Sequence, residues 1–240
     1  MERKIIEKII EQSIQKNLKI KCGRTTLDSK DKELIEEFET YKANREIKEH
    51  FATEMHKRYE LYEEHEELQK QHKYTEEQED IVEKWGGSAY MKINGKIYNT
   101  PYYQRRRENG SLDDEDIRKI NKNIEILQSA IDDSPRVPHN VMTVRDGHWE
   151  SGHKRGDVIV QKGFASTSYT SGVDASDTDE DDLYSIHYYI PKGTKGLLLS
   201  PNQFDVLPED ELLLGQNTRQ YVLKQDDDEQ TVEVLVLPDR

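Results

Sequence analysis

The sequence predicts an α+β domain in which helices come first and strands follow. Two periodicities point to it. Up to about residue 131 the apolar residues recur at spacings of three and four, and from Val141 they gather into short β-branched or aromatic runs broken by Gly, Pro, Asn and Asp. A third observation is compositional. Of the 240 residues 33% are hydrophobic and 35% charged, so a core forms only where apolar residues concentrate, which is mostly after residue 140.

Ile5, Ile6, Ile9, Ile10 and Ile14 mark one amphipathic helix within residues 1–17. After a turn-like region from Cys22 to Asp31, residues 32–73 read as one proline-free helix with Phe51, Met55, Tyr59 and Tyr62 as its apolar stripe. Thr75-Glu76-Glu77-Gln78 is a capping-box signature that opens a further helix, and Gly86-Gly87 stops it. Ser88 to Gly95 reads as a turn-bounded segment leading into the aromatic stretch Tyr98 to Tyr103, and Arg105-Arg106-Arg107 as a solvated basic triplet. Ser111 opens the next helix, with Ile117, Ile120, Ile124, Leu127 and Ile131 on one face. Asp113 to Asp116 occupy its first turn, where the helix dipole favours acids, and Asp133-Ser134-Pro135 ends it. Strands are expected at Val141 to Arg145, Val158 to Gln161, Phe164 to Ser168, Tyr184 to Ile190, Gly196 to Leu199, Glu211 to Leu214, Arg219 to Leu223 and Thr231 to Leu237, arranged as two packed sheets.

The formal charge of −14 and pI near 5.1 argue against a general nucleic-acid binder, because phosphate contacts need a basic surface. Any anionic ligand must therefore meet a local basic or dipolar site. Cys22 is the only cysteine, which excludes an intramolecular disulfide and a multi-cysteine zinc site. His50, His56, His65 and His72 form no i, i+4 ligand pair and read as solvated helix surface. Asp174, Asp177, Asp179, Glu180, Asp181 and Asp182 lack the spacing of an EF-hand and read as a solvated loop. No metal is expected. The first residues mix charge of both signs where a secretory signal would be apolar, and no apolar run reaches the roughly 18 residues of a membrane span. The expectation is a soluble protein of a reducing compartment, or one exported without a cleavable signal.

In an extended chain Glu209 and Glu211 project to one side. Glu211 stands directly on the apolar strand Leu212-Leu213-Leu214 and is rigidly placed, whereas Glu209 follows Pro208 at the end of a loop. Ser166-Thr167-Ser168 ends another strand with hydroxyls that can hold a carboxylate of a neighbour. A fixed carboxylate beside a ribose stabilises an oxocarbenium-like centre, as in glycoside hydrolysis, and a second is useful for handling the acceptor.

Taken in order, four segments resemble the catalytic core of the Arg-Ser-Glu class of mono-ADP-ribosyltransferases, above all the enzymatic components of clostridial binary toxins and vegetative insecticidal toxins. They are Val144-Arg145, Lys162 to Ser168, Ile190-Pro191-Lys192-Gly193-Thr194-Lys195-Gly196, and Glu209-x-Glu211 followed by three leucines. Tyr90 with Asn94, and the Asn121 to Ile131 helix with its Ser-Ala-Ile-Asp ending, extend the resemblance over residues 75–240. The resemblance implies an ADP-ribosyltransferase-like two-sheet β core with preceding helices. It also implies a catalytic domain at 75–240 behind a charged helical region at 1–74, and transfer of ADP-ribose from NAD with release of nicotinamide.

Carried over residue by residue, it implies that Arg145 grips the NAD phosphates, that Ser166 hydrogen-bonds and orients Glu211, and that Thr167 and Ser168 shape the floor of the nicotinamide pocket. Tyr90 and Asn94 would line the nucleotide pocket. Glu211 would bind the ribose 2′-hydroxyl and stabilise the cation, while Glu209 would position or deprotonate the acceptor. A glutamate at that first place goes with arginine acceptors in the family. The departures are Val144 where relatives carry an aromatic, Asp146 beside Arg145, Val206 where an aromatic usually precedes the motif, and no second phosphate-binding arginine near Leu183. Two other readings compete, a non-enzymatic interaction or phage structural module that keeps the fold and an NAD glycohydrolase. Glu211 and Ser166 speak against the first and Glu209 against the second. The N-terminal region is too short for a second transferase-like domain, which suggests a smaller bacterial or phage-encoded enzyme. It would act in the cytoplasm of a bacterial host or of a target cell after delivery, on a macromolecule that is a protein rather than nucleic acid.

Overall fold

The computed structural model describes residues 27–85, 89–149, 152–170, 183–199 and 210–238. The isoleucine-rich start, the Gly86-Gly87 stop and the acidic run at 174–182 lie outside the described residues.

Helix α1 (Ser29–Asn44) opens with a capping box in which Asp28 accepts from the Asp31 N–H and Asp31 accepts from the Asp28 N–H. Asp31 is wholly buried and also takes both guanidinium arms of Arg219, at 2.6 and 3.0 Å, which ties the helix start to the sheet. The chain turns left-handed at Arg45 (φ 64°), and α2 (Ile47–His50) and α3 (Met55–Lys70) follow. The single helix expected over 32–73 is therefore three. Its second break has a plain cause: Ala52 leaves helical geometry to pair with a strand, donating to the Asn140 carbonyl (3.1 Å) and accepting from the Met142 N–H (3.0 Å). The expected stripe breaks with it. Phe51 is buried against Phe38 and Tyr189, and Tyr62 is buried, but Met55 and Tyr59 face outward.

The inward face of α3 is Arg58, Tyr62, His65 and Gln69, three of them polar. Each of the three is bonded to main chain elsewhere: Arg58 Nη2 donates to the Thr170 carbonyl (3.3 Å), the His65 ring meets the Pro135 carbonyl (3.2 Å), and Gln69 binds both the N–H and the carbonyl of Leu198. His65 is thus no surface histidine. It is wholly buried, with its second nitrogen 3.1 Å from the Tyr169 hydroxyl.

Helices α4 (Glu76–Lys84), α5 (Tyr90–Ile97), α6 (Pro101–Glu108) and α7 (Asp114–Asp133) form a layer. The Thr75–Gln78 capping box is present as expected. Helix α7 starts later than Ser111 because Asp113 takes the cap and accepts from the Asp116 N–H, and it ends at Ser134 before Pro135 as expected. Helix α5 is a correction, since Ser88 to Gly95 was expected as a turn-bounded segment. Contacts far away in sequence hold it, as described below for Asn94 and Tyr98. The arginine triplet lies on α6, where Arg106 packs on Tyr102 and Arg107 comes within 3.8 Å of Asp114.

The strands are β1 (Val141–His148), β2 (Val158–Gln161), β3 (Ala165–Ser168), β4 (Leu183–Ile190), β5 (Leu197–Leu199), β6 (Glu211–Leu214), β7 (Thr218–Asp226) and β8 (Thr231–Leu237). They form an eight-stranded sheet in the order β2-β7-β8-β4-β1-β3-β6-β5, with β4–β8 parallel and the other pairs antiparallel. A single registered pair, Val144 opposite Ser168, joins β1 to β3. The expected two-sheet core is realised as two halves that meet at this one pair.

One face of the sheet buries Val141, Ile186, Tyr188, Leu212, Leu214, Val232 and Val234 with Tyr62 of α3. On the other face, α4 to α7 close over Phe164, Leu197, Leu199 and Leu213 through Ile81, Trp85, Ile93, Leu127 and Ile131. Leu127 and Ile131 are wholly buried, each worth about 2 kcal/mol. On the same face, α1 and α2 cover Tyr189, Leu223, Leu235 and Leu237. The two helical layers leave the junction of the half-sheets between them.

Candidate active site

The site is built on β3, and β3 is aimed by α5. Asn94 spends both ends of its amide on the Phe164 main chain, donating to the carbonyl and accepting from the N–H, each at 3.1 Å. One turn on, the Tyr98 hydroxyl accepts from the Gly163 N–H (2.8 Å) and from Gln161 Nε2 (2.6 Å). Burial pushes the Tyr98 phenol above its ordinary value, against the bond from Gly163 and the Arg145 charge, so it stays a neutral hydroxyl. Gly163 must be glycine here, because a Cβ would stand 2.6 Å from both Asn94 Oδ1 and Tyr98 Cε2. Tyr90, the other residue expected at the nucleotide pocket, is half-exposed at the start of α5 and packs edge-on against Trp85.

Residues 166 to 168 then run beside Glu211. Strand alternation puts Ser166 and Ser168 on one face and Thr167 on the other. The register sets Ser168 directly opposite Glu211, Thr167 opposite Leu212 and Ser166 opposite Leu213. Glu211 is the first residue of β6, partly buried, and is held between β3 and β5, where Leu199 is its partner. Ser166 is its diagonal neighbour, a separation of about 7–8 Å between backbones that side chains can bridge. Among the described residues no hydrogen bond joins Ser166 to Glu211, and the direct cross-strand partner is Ser168. Thr167 faces the core, wholly buried, with its hydroxyl on the Leu212 carbonyl at 3.2 Å. It staples β3 to β6 rather than sharing a floor with Ser168.

Arg145 reaches this strand from β1. Its Nη1 donates to the Ser166 carbonyl at 3.2 Å. Gly147 gives the side chain room, since a Cβ there would lie 3.2 Å from Arg145 Nε. Asp146 alternates to the opposite face of β1 from Arg145 and acts on His187 instead. Burial holds the His187 imidazole below its ordinary value, with Glu233 and Asp146 opposing and Arg58 adding to the effect. Strand β4 carries no arginine, and His187 occupies its middle.

A residue missed in the sequence is Arg58. It is 7% exposed, burial lowers its pKa, and among the described residues its Nε and Nη1 have no hydrogen-bond partner. Leaving such donors unmet costs about 1–3 kcal/mol each, so they mark a place suited to an anion. Its spacing with Tyr62, His65 and Gln69 was the available signal. Glu209 lies outside the described residues. Asp210 is described, with φ 37°, so the extended geometry that would align Glu209 with Glu211 stops between them.

Comparison with known proteins decides the family. The model of the ADP-ribosyltransferase exoenzyme family matches residues 56–237, three quarters of the chain. The chain belongs to the ADP-ribosyltransferase exoenzymes. Among solved structures, this exoenzyme superposes on C3stau2 from S. aureus, determined with NAD, at a TM-score of 0.53 and 17% identity, covering 75% of this chain and 95% of that one. The catalytic domain of VahC from Aeromonas hydrophila gives 0.51 and 17%, covering 69% and 100%. Vis, a toxin from Vibrio splendidus, gives 0.53 and 17% in its complex with agmatine, covering 78% and 86%. At these identities the likeness establishes the fold, while the family match makes NAD the substrate of this exoenzyme. A search of curated proteins gave no match. Among the described residues no cluster of three or more His, Cys, Asp or Glu could hold a metal ion, and no helix is long and apolar enough to cross a membrane.

Proposed function

We propose that this exoenzyme transfers ADP-ribose from NAD to a guanidinium, in nature an arginine of a protein. The observation that carries the reading is the placement of Glu211, fixed by ladders on both sides at the end of a strand whose partner Ser168 and diagonal neighbour Ser166 offer hydroxyls. A carboxylate held in this way can accept from the ribose 2′-hydroxyl and stabilise the positive charge that grows as the nicotinamide bond breaks.

Arg145 supplies one fixed cation for the diphosphate. Arg58 supplies a second, in place of the arginine sought near Leu183, through the two guanidinium nitrogens that have no hydrogen-bond partner among the described residues. Asn94 and Tyr98 hold the main chain of Gly163 and Phe164 at the pocket, and Tyr90 lines it beside Trp85. Glu209 handles the acceptor. The glutamate at this place supports an arginine acceptor, and so does the structural neighbour Vis having been determined with agmatine, a small guanidinium compound. The target is a protein met in a cytoplasm, that of a bacterial host or of a cell to which the enzyme is delivered, and the catalytic domain takes in α3, which carries Arg58, as well as residues 75–240.

Glu209→Gln tests the acceptor assignment. With NAD and agmatine, adduct should fall at least about tenfold while free ADP-ribose is still released, because only a charge-assisted contact to the acceptor is lost. Equal loss of both products would remove Glu209 from the acceptor side.

A further inference from the structure

We propose that His65 and Gln69 of α3 are positioning residues for the reaction, a clamp that holds the two strands flanking Glu211 and so keeps that carboxylate where the ribose meets it. The inference rests on the reading of Glu211 given above. Glu211 is the first residue of β6, and its ladder partners are Ser168, the last residue of β3, and Leu199, the last of β5. Strands β3, β5 and β6 are four, three and four residues long, and their ladder ends level with this carboxylate. The end of so short a ladder frays unless something outside it holds the strands.

Helix α3 holds both flanks. His65 and Gln69 are four residues apart and so neighbours on one face of the helix. Strand β5 is the last in the sheet, and Gln69 closes its outer edge: Nε2 donates to the Leu198 carbonyl at 2.7 Å and Oε1 accepts from the Leu198 N–H at 2.8 Å. His65 holds the other flank. Its Nε2 lies 3.2 Å from the Pro135 carbonyl, which can only accept, so that nitrogen carries the proton and Nδ1 accepts from the Tyr169 hydroxyl at 3.1 Å. Burial raises the Tyr169 pKa, so the hydroxyl stays a donor. Tyr169 directly follows Ser168, and its ring packs edge-on against Tyr62 of α3 at 5.8 Å.

The consequence is selective. Without His65 the wholly buried Tyr169 hydroxyl loses its acceptor, so the chain there shifts to find another and carries Ser168 with it. Without Gln69 the outer edge of β5 is open and Leu199 is loosened. Either loss leaves Glu211 firmly supported on one side alone. Arg145 stands on β1 and is untouched by both, so NAD still binds. A carboxylate displaced slightly gives up more transition-state stabilisation than ground-state binding, so the clamp acts on turnover.

The test measures kcat and KM for NAD on the full chain with agmatine, counting adduct and free ADP-ribose together, beside a calorimetric NAD titration that counts binding-competent chains. His65→Leu and Gln69→Ala should each lower kcat about tenfold, with the Kd for NAD within about threefold of wild type and every chain still binding. His65→Gln, whose amide can donate to Pro135 and accept from Tyr169, should bring kcat back to within about threefold of wild type. Should His65→Leu fail to fold, the half-buried Gln69→Ala decides. An unchanged kcat in Gln69→Ala, a fall in kcat that only matches a loss of binding chains, or a folded His65→Gln as slow as a folded His65→Leu overturns the clamp. A wild type that consumes no NAD, or a Glu211→Gln variant that consumes it at the full rate, overturns the reading of Glu211 instead.

Discussion

Replacing Gly163 by alanine adds one methyl group at the point where α5 grips the approach to β3. The new Cβ would lie 2.6 Å from Asn94 Oδ1 and 2.6 Å from Tyr98 Cε2, well inside contact distance. Neither neighbour is free to yield, because Asn94 is bonded to both polar atoms of the Phe164 main chain and Tyr98 to Gly163 and Gln161. Overpacking of a fixed site costs about 1–3 kcal/mol, and each hydrogen bond given up in relieving it about 1 kcal/mol, so a loss of about 2–4 kcal/mol is expected. For a chain of this size that lowers Tm by about 5–15 °C. Thermal unfolding by circular dichroism reads it, and NAD titration should show weaker binding because Ser166 and Ser168 shift with the strand. In an Asn94→Ala background one of the two clashes is gone, so the alanine at 163 should cost at least about 1 kcal/mol less there. A Tm within about 2 °C of wild type, with NAD binding unchanged, would refute the argument that α5 aims β3.

Glu211→Gln should lower both transfer and hydrolysis by about a hundredfold or more, since both need the ribose-facing carboxylate; unchanged NAD consumption would take it out of the mechanism. Arg58→Ala should raise the Kd for NAD about tenfold with only a small fall in Tm, because among the described residues its Nε and Nη1 have no partner to lose and the bond lost is the one from Nη2 to Thr170. A large fall in Tm with an unaltered titration would make Arg58 a structural residue instead. Burial lowers the His65 pKa in the folded state, with the bond to Pro135 opposing. The folded protein therefore favours neutral His65, and the stability this provides is full above the unfolded pKa of about 6.5 and is lost as pH falls from there toward the depressed folded value. His65→Gln should flatten the decline of Tm between pH 7 and pH 5, and an identical slope in both proteins would contradict the assignment.

The strands were legible because β-branched runs separated by Gly, Pro and Asn encode them locally. Val158–Gln161, Glu211–Leu214 and Thr231–Leu237 fall where the sequence places them. The helical half was less legible for a physical reason. Ala52 breaks its helix to pair with β1, and α5 forms where Ser88 to Gly95 locally read as a turn-bounded segment, because the Phe164 main chain, 70 residues on, binds Asn94 and the Gly163 N–H binds Tyr98. His65 reads as solvated surface and Arg58 goes unnoticed when a stripe is sought among apolar residues alone, whereas α3 docks through polar side chains that bond to distant main chain. The ordered set Arg145, Ser166 and Glu211 was visible in the sequence. The left-handed Asp210 was not, since nothing local marks an aspartate for that conformation.

The most direct test of the account is mass spectrometry of the products formed from NAD and agmatine by the wild-type chain beside Glu211→Gln. The account predicts ADP-ribosyl-agmatine from the wild type and none above background from the variant. Intact NAD after prolonged incubation of the wild type, with no adduct and no free ADP-ribose, would contradict it.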